Sequence, residues 1–187
     1  MPSFPKTKSG AGWVLGSALG AVCLSSCVSP TPPPQCAVSG LILDLEELPS
    51  GMALDFVTQP AVDSTNNSET RGYSTAALRF SQSVYWYPKT EWAERKYDEE
   101  VQSVEGPAAH RHFWSEPEFN WQEVAADESD AGCGPINDGV SCVVVVRFNS
   151  TVSKAYIQFP GGEVEPEIVI DLAKEIGSKL TKCAADE

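Results

Sequence analysis

The chemistry this chain offers lies in two histidines, a set of cysteines and a group of aromatic side chains. His110 and His112 stand at i and i+2, which puts them on one face if the segment is a strand. Such a pair could hold a metal ion or exchange protons near neutral pH. Two ligands do not close a zinc site, and a third would have to come from elsewhere, Glu116 or Glu118 being nearest. The plainer reading is two strand-edge histidines flanking Arg111, so neither a catalytic residue nor a metal ligand is assigned. No G-x-S-x-G, H-E-x-x-H, Walker or dinucleotide pattern occurs, and no cofactor is expected. The acidic run Asp127-Glu128-Ser129-Asp130, with Asn137-Asp138, offers hard oxygen ligands without EF-hand spacing and reads as a solvated loop. Trp92, Trp114 and Trp121, with Tyr85 and Tyr87, supply amphipathic aromatic surface that could line a cleft for a sugar, lipid or peptide. The competing reading packs such residues into the core of a sheet.

The beginning of the chain says where these residues work. Lys6 and Lys8 precede an apolar run from Ala11 to Leu24, too short for the roughly 20 residues that span a bilayer core and well suited to a signal peptide. Leu24-Ser25-Ser26-Cys27 resembles a bacterial lipobox, in which a small residue before the cysteine permits cleavage and the thiol carries diacylglycerol. Cys23 is the rival, but the branched Val22 before it fits less well. This division makes residues 1–26 a lipoprotein signal peptide and 27–40 a lipidated cysteine with a proline-rich tether, leaving 41–187 as one extracytoplasmic domain. Prolines 30 and 32–34 favour an extended, semi-rigid spacer.

The net charge is −13, and all 26 acidic residues lie beyond the leader, whereas Lys6 and Lys8 leave with it. No basic footprint for phosphate exists, so nucleic acid is not expected as a partner. A small ligand or a basic protein face fits the charge, and the lipid anchor supplies the contact with a membrane. Four further cysteines, Cys36, Cys133, Cys142 and Cys183, allow three pairings in an oxidising compartment. Cys133 with Cys142 and Cys36 with Cys183 are favoured: the first closes a short turn-rich segment, the second staples the two ends of the domain.

Positioning all this falls to alternating strands and amphipathic helices. Leu41, Leu45 and Leu48 predict a short helix over 41–48, and alternation over Met52–Phe56 a strand. The polar stretch 60–72 reads as a loop. From Tyr73 to Tyr87, Ala76, Leu78, Phe80, Val84 and Trp86 share a face interrupted only by Gln82, as one long strand or two joined at a bulge. Thr90 is the expected N-cap of a helix to about Glu105, with Ala93, Tyr97, Val101 and Val104 facing inward. Strands are expected at 110–114 and 119–125, and a disulfide-closed loop at 127–139. Cys142 to Phe148 predicts a central strand buried on both faces, and Ser153 to Phe159 its hairpin partner. Pro166 opens a last helix with Val169, Leu172, Ala173, Ile176, Leu180 and Cys183 on one stripe.

The expected fold is α+β: one domain with a mostly antiparallel twisted sheet, packed helices and two disulfides. The layout, with Leu43–Gly51 leading into a strand, Thr90-Glu91-Trp92-Ala93 at a helix start, a cysteine-bounded segment and a terminal helix, resembles PsbP-like lipoproteins. It is also similar to the extracellular sensor domains of mycobacterial receptor kinases. The resemblance implies a non-catalytic binding or sensing role around a cleft, at the cell envelope, on the outer face of the cytoplasmic membrane or on an outer membrane. Two other readings compete: a metal-assisted hydrolase using His110 and His112, and an accessory protein docking onto an envelope complex through its acidic surface.

Overall fold

The computed structural model describes residues 37–58, 61–62, 67–105 and 123–184. Seven strands form one sheet: β1 (Ala53–Val57), β2 (Ala61–Val62), β3 (Asn67–Ser74), β4 (Arg79–Trp86), β5 (Glu128–Ile136), β6 (Gly139–Phe148) and β7 (Thr151–Phe159). Their order is β1-β3-β4-β7-β6-β5, with β2 also on β3, and all pairs are antiparallel. Three helices complete the α+β domain: α1 (Val38–Leu41), α2 (Thr90–Glu105) and α3 (Pro166–Ala184).

The predicted central strand holds. Cys142, Val144 and Val146 of β6 pack with Val169, Leu172, Ala173, Ile176 and Leu180 of α3, while Val143 and Val145 face Ala93 and Tyr97 of α2. A strand sandwiched between two helices has no polar face to present, which is why it reads as a continuous branched run. The last helix begins at Pro166, where a missing N–H costs nothing, and Glu167 and Lys182 carry charges of the favoured sign at its two ends.

Five expectations differ from the structure. The segment expected to be one helix over 41–48 is α1 followed by a 3-10 turn at Leu45–Glu47. Leu41, Ile42 and Leu43 are all buried, so its backbone runs beneath apolar cover instead of turning an amphipathic face. Within the stretch expected to be a loop, residues 61–62 are β2 and 67–72 belong to β3, and the stretch expected as one long strand or two joined at a bulge is two strands joined by a turn. The chain reverses between them, where the Thr75 N–H donates to Leu78 O at 2.7 Å and the Thr75 hydroxyl accepts from the amides of Ala77 and Leu78. Thr90 is the first residue of α2 and not the residue before it, and its hydroxyl lies 3.5 Å from that of Ser150. The segment expected as a loop at 127–139 is β5 with a two-residue turn at Asn137-Asp138, paired along its length with β6.

Cys133 and Cys142 are bonded, as expected, and stand directly opposite each other in the β5–β6 ladder, fully buried. The bond therefore ties an edge strand to its neighbour across a hairpin. Of the second expected disulfide, Cys183 falls in the last turn of α3 and Cys36 lies outside the described residues. Replacing both Cys133 and Cys142 with alanine should cost about 2–3 kcal/mol by loop-closure entropy alone. A urea titration of the two proteins under oxidising conditions checks this: coincident midpoints would show that the ladder hydrogen bonds hold β5 unaided.

Candidate ligand groove

A small cavity opens where β4 gives way to α2. Trp86 ends the strand, the Tyr87 N–H donates to Ser150 O at 2.9 Å, and the Trp92 N–H donates to Lys89 O at 3.1 Å as the helix starts. On α2 the positions 92, 95, 96 and 99 follow i, i+3, i+4, i+7 and form one stripe beside the buried stripe of Ala93 and Tyr97. Trp92, Arg95, Lys96 and Glu99 from that stripe, with Tyr87 from the connection, line a cavity of about 250 Å³.

Cations and rings alternate through it. Lys96 Nζ lies 4.7 Å above the Tyr85 ring, and Lys89 Nζ lies 5.2 Å from the centre of the Trp92 ring. Lys96 also binds Glu100 Oε1 at 2.5 Å, and the other oxygen of Glu100 binds Lys154 Nζ at 2.5 Å. Lys154 is anchored further by the Ser103 hydroxyl at 3.3 Å and sits 4.9 Å over the Tyr156 ring. A buried carboxylate thus holds two ammonium groups under the groove. Burial pushes the Glu100 carboxyl up, but hydrogen bonds from Lys154 and Lys96 and their charges bring it below its ordinary range. Burial, reinforced by the nearby Asp130 and Glu128, holds the Tyr97 phenol well above its ordinary range, so it stays protonated.

A larger cavity of about 330 Å³ separates the 3-10 turn from α3, lined by Glu47, Asp171 and Glu175 together with Leu48 and Ile168. Its one cation, Lys174, is paired with Glu123, so it offers acidic groups around a shallow apolar floor and nothing that orients a ligand. We therefore place the candidate site at α2 despite its smaller volume.

Of the residues singled out from the sequence, Trp92 lines the groove. Trp114, Trp121, His110, His112 and Cys27 lie outside the described residues. Among the described residues no group of three or more His, Cys, Asp or Glu side chains could hold a metal. The acidic segment does not converge with Asn137-Asp138: Asp127 and Glu128 bind Arg147 at one end of the β5–β6 hairpin, and Asp138 sits in the turn at the other. Arg95 and Glu99 were not singled out from the sequence; their spacing from Trp92 was the available signal that they share its surface.

Fold and groove together define an antiparallel α+β domain with a helix-edge aromatic site. No protein-family model and no curated protein sequence matches the chain. In three dimensions it is similar to the crystal structure of the extracellular domain of PknH from Mycobacterium tuberculosis, with a TM-score of 0.56 and 12% identity. The match covers 81% of this chain and 98% of that one. At this identity the likeness is one of fold, and it agrees with the resemblance to mycobacterial extracellular domains read from the sequence layout. Among the described residues no helix is long and apolar enough to cross a membrane.

Proposed function

We propose that this chain is a non-catalytic binding or sensor module working outside the cytoplasm and held to the membrane by diacylglycerol on Cys27. The observation that carries the reading is the fold: nearly the whole of an extracellular domain superposes on this chain. The buried Cys133–Cys142 bond supports an oxidising compartment. The groove around Trp92 is the place where a ligand meets the domain, and the proline-rich segment before residue 41 spaces that groove from the bilayer.

Anchoring and binding are tested separately. In cells expressing the full chain, a labelled fatty acid should mark the protein and leave it in the detergent-rich phase, and Cys27→Ala should abolish the label. A Cys27→Ala protein that still takes up label and stays in the detergent phase would remove the anchor from the proposal. For binding, the protein gently extracted from its own membranes should show a mass adduct or a bound partner in native mass spectrometry that disappears on denaturation. A bare, partner-free chain would count against a binding module.

A further inference from the structure

We infer that the groove at the start of α2 takes a carboxylate-bearing saccharide. This rests on the groove being the module's ligand site, and four features of it select the ligand class.

The first is charge. In this acidic chain most described Lys and Arg side chains stand in ion pairs with carboxylates. The described exceptions are Lys89, Arg95 and Lys182, and the first two flank Trp92. Seven of the other eight described cations are ion-paired, whereas these two have no carboxylate partner among the described residues and stand beside one aromatic residue, Lys89 over the face of its ring. The planar guanidinium of Arg95 is the better of the two for gripping a carboxylate through two parallel hydrogen bonds.

The second is the walls. Trp92 and Tyr87 are half-buried rings lining the cavity, and such rings pack against the C–H face of a sugar while leaving its hydroxyls to polar neighbours. The third is Glu99, which also lines the cavity and makes no ion pair with Arg95 one turn earlier. A carboxylate there only accepts hydrogen bonds, so it suits the hydroxyl donors of a ligand whose acid group lies at Arg95 and away from Glu99. Acid group, apolar ring face and hydroxyls together describe an acidic saccharide. The fourth is size: about 250 Å³ lies just under the lower end of the usual ligand-pocket range of roughly 300–1,000 Å³, so the groove seats one or two rings and any longer chain must run out over the surface.

The experiment uses the mature protein and four probes: digalacturonate, its dimethyl ester, an N-acetylmuramic acid disaccharide and inorganic phosphate. Binding is followed by the tryptophan indole N–H signals in nitrogen-15 spectra, with the Trp92 signal assigned from Trp92→Phe. At least one carboxylate-bearing probe should shift the Trp92 signal, with affinity falling at least ten-fold in Arg95→Ala and in Trp92→Ala and recovering in part in Arg95→Lys. The ester and phosphate should leave the signal in place. Equal binding of the ester, equal binding of phosphate, binding unchanged in Arg95→Ala, or no response to either acidic saccharide would each overturn the inference. Native mass spectrometry separates this failure from that of the wider reading. A native adduct that is lost in Trp92→Ala but is not an acidic saccharide sinks only the ligand class, whereas a chain with no adduct or partner sinks the module itself.

Discussion

Replacing Glu100 with leucine is expected to destabilise the domain by about 3–5 kcal/mol, the usual cost of leaving one member of a buried ion pair alone. Lys154 is 7% exposed and Glu100 8% exposed, and the Glu100 oxygens hold both Lys154 and Lys96. Without the carboxylate, Lys154 keeps only the Ser103 hydroxyl and the Tyr156 ring, neither of which balances a charge removed from water. The double variant Glu100→Leu/Lys154→Met removes both charges and should recover most of the loss. Urea denaturation of the four corners of this cycle makes the test; a single variant as stable as the wild type would mean that water reaches the pair.

The pair also fixes a pH dependence. Glu100 is held below its ordinary value of 4.5: burial alone would raise it, and the hydrogen bonds and charges of Lys154 and Lys96 outweigh burial. A depressed folded-state value means that the unfolded chain binds the proton more tightly. The contribution of Glu100 is thus complete above its unfolded-state value and is lost as pH falls below 4.5 through the lower folded-state value. Lys154 behaves oppositely. Burial would lower its ordinary value of 10.5, but hydrogen bonds to Glu100 and Tyr156 and their charges raise it, so its contribution is complete below 10.5 and is lost above it. The stability gap between wild type and the double variant should therefore shift toward the variant at both acid and alkaline extremes.

A second large effect is expected at Gln82, the one polar residue on the inner face of β4. It is fully buried, and its Oε1 accepts the Leu43 N–H at 2.8 Å. Its Nε2 donates to Leu41 O at 3.3 Å and to the Ser153 hydroxyl at 3.0 Å. The buried backbone of residues 41–43, the last residue of α1 and the two irregular residues after it, gains its partners there. Gln82→Leu keeps the volume and strands those groups, at about 1–3 kcal/mol each and about 3–4 kcal/mol together once partial relaxation is allowed. Hydrogen exchange should show the Leu43 amide losing protection before the β6 amides do. Equal protection in the variant would mean that the segment is held instead by its charged ties, Arg71 to Ser39 O and Asp44, and Lys179 to Ile42 O and Glu47.

Legibility in the sequence followed burial pattern. The stripe of α3 from Val169 to Leu180, the valine run of β6 and the inward Ala93 and Tyr97 of α2 were all readable because each buries a regular face against a neighbour. Three strands escaped, the two-residue β2 within the expected loop and two longer ones. β3 reads Asn-Ser-Glu-Thr-Arg-Gly-Tyr-Ser, and β5 reads Glu-Ser-Asp-Ala-Gly-Cys-Gly-Pro-Ile, both rich in turn formers. In β3, Glu69 and Arg71 pair with each other at 2.8 Å, and the Thr70 and Ser83 hydroxyls meet at 2.8 Å across the ladder. The first contact joins polar residues two apart on one face and the second crosses to a neighbouring strand, so neither leaves an apolar periodicity to detect.

For the groove, the spacing of Trp92, Arg95, Lys96 and Glu99 was legible as one side of a helix, and the cysteine pair was legible from the turn between its members. What these residues meet was not. That Lys154 of β7 reaches Glu100 from below, that Tyr85 lies under Lys96, and that Tyr87 closes the cavity depend on how α2 crosses the sheet. Sequence alone thus determined the elements whose own side chains carry their periodicity, together with a leader that resembles a lipoprotein signal. Tertiary structure alone decided which polar segments became strands and which charges became buried partners, because backbone ladders and ion pairs join residues far apart in the chain, where no local pattern records the match.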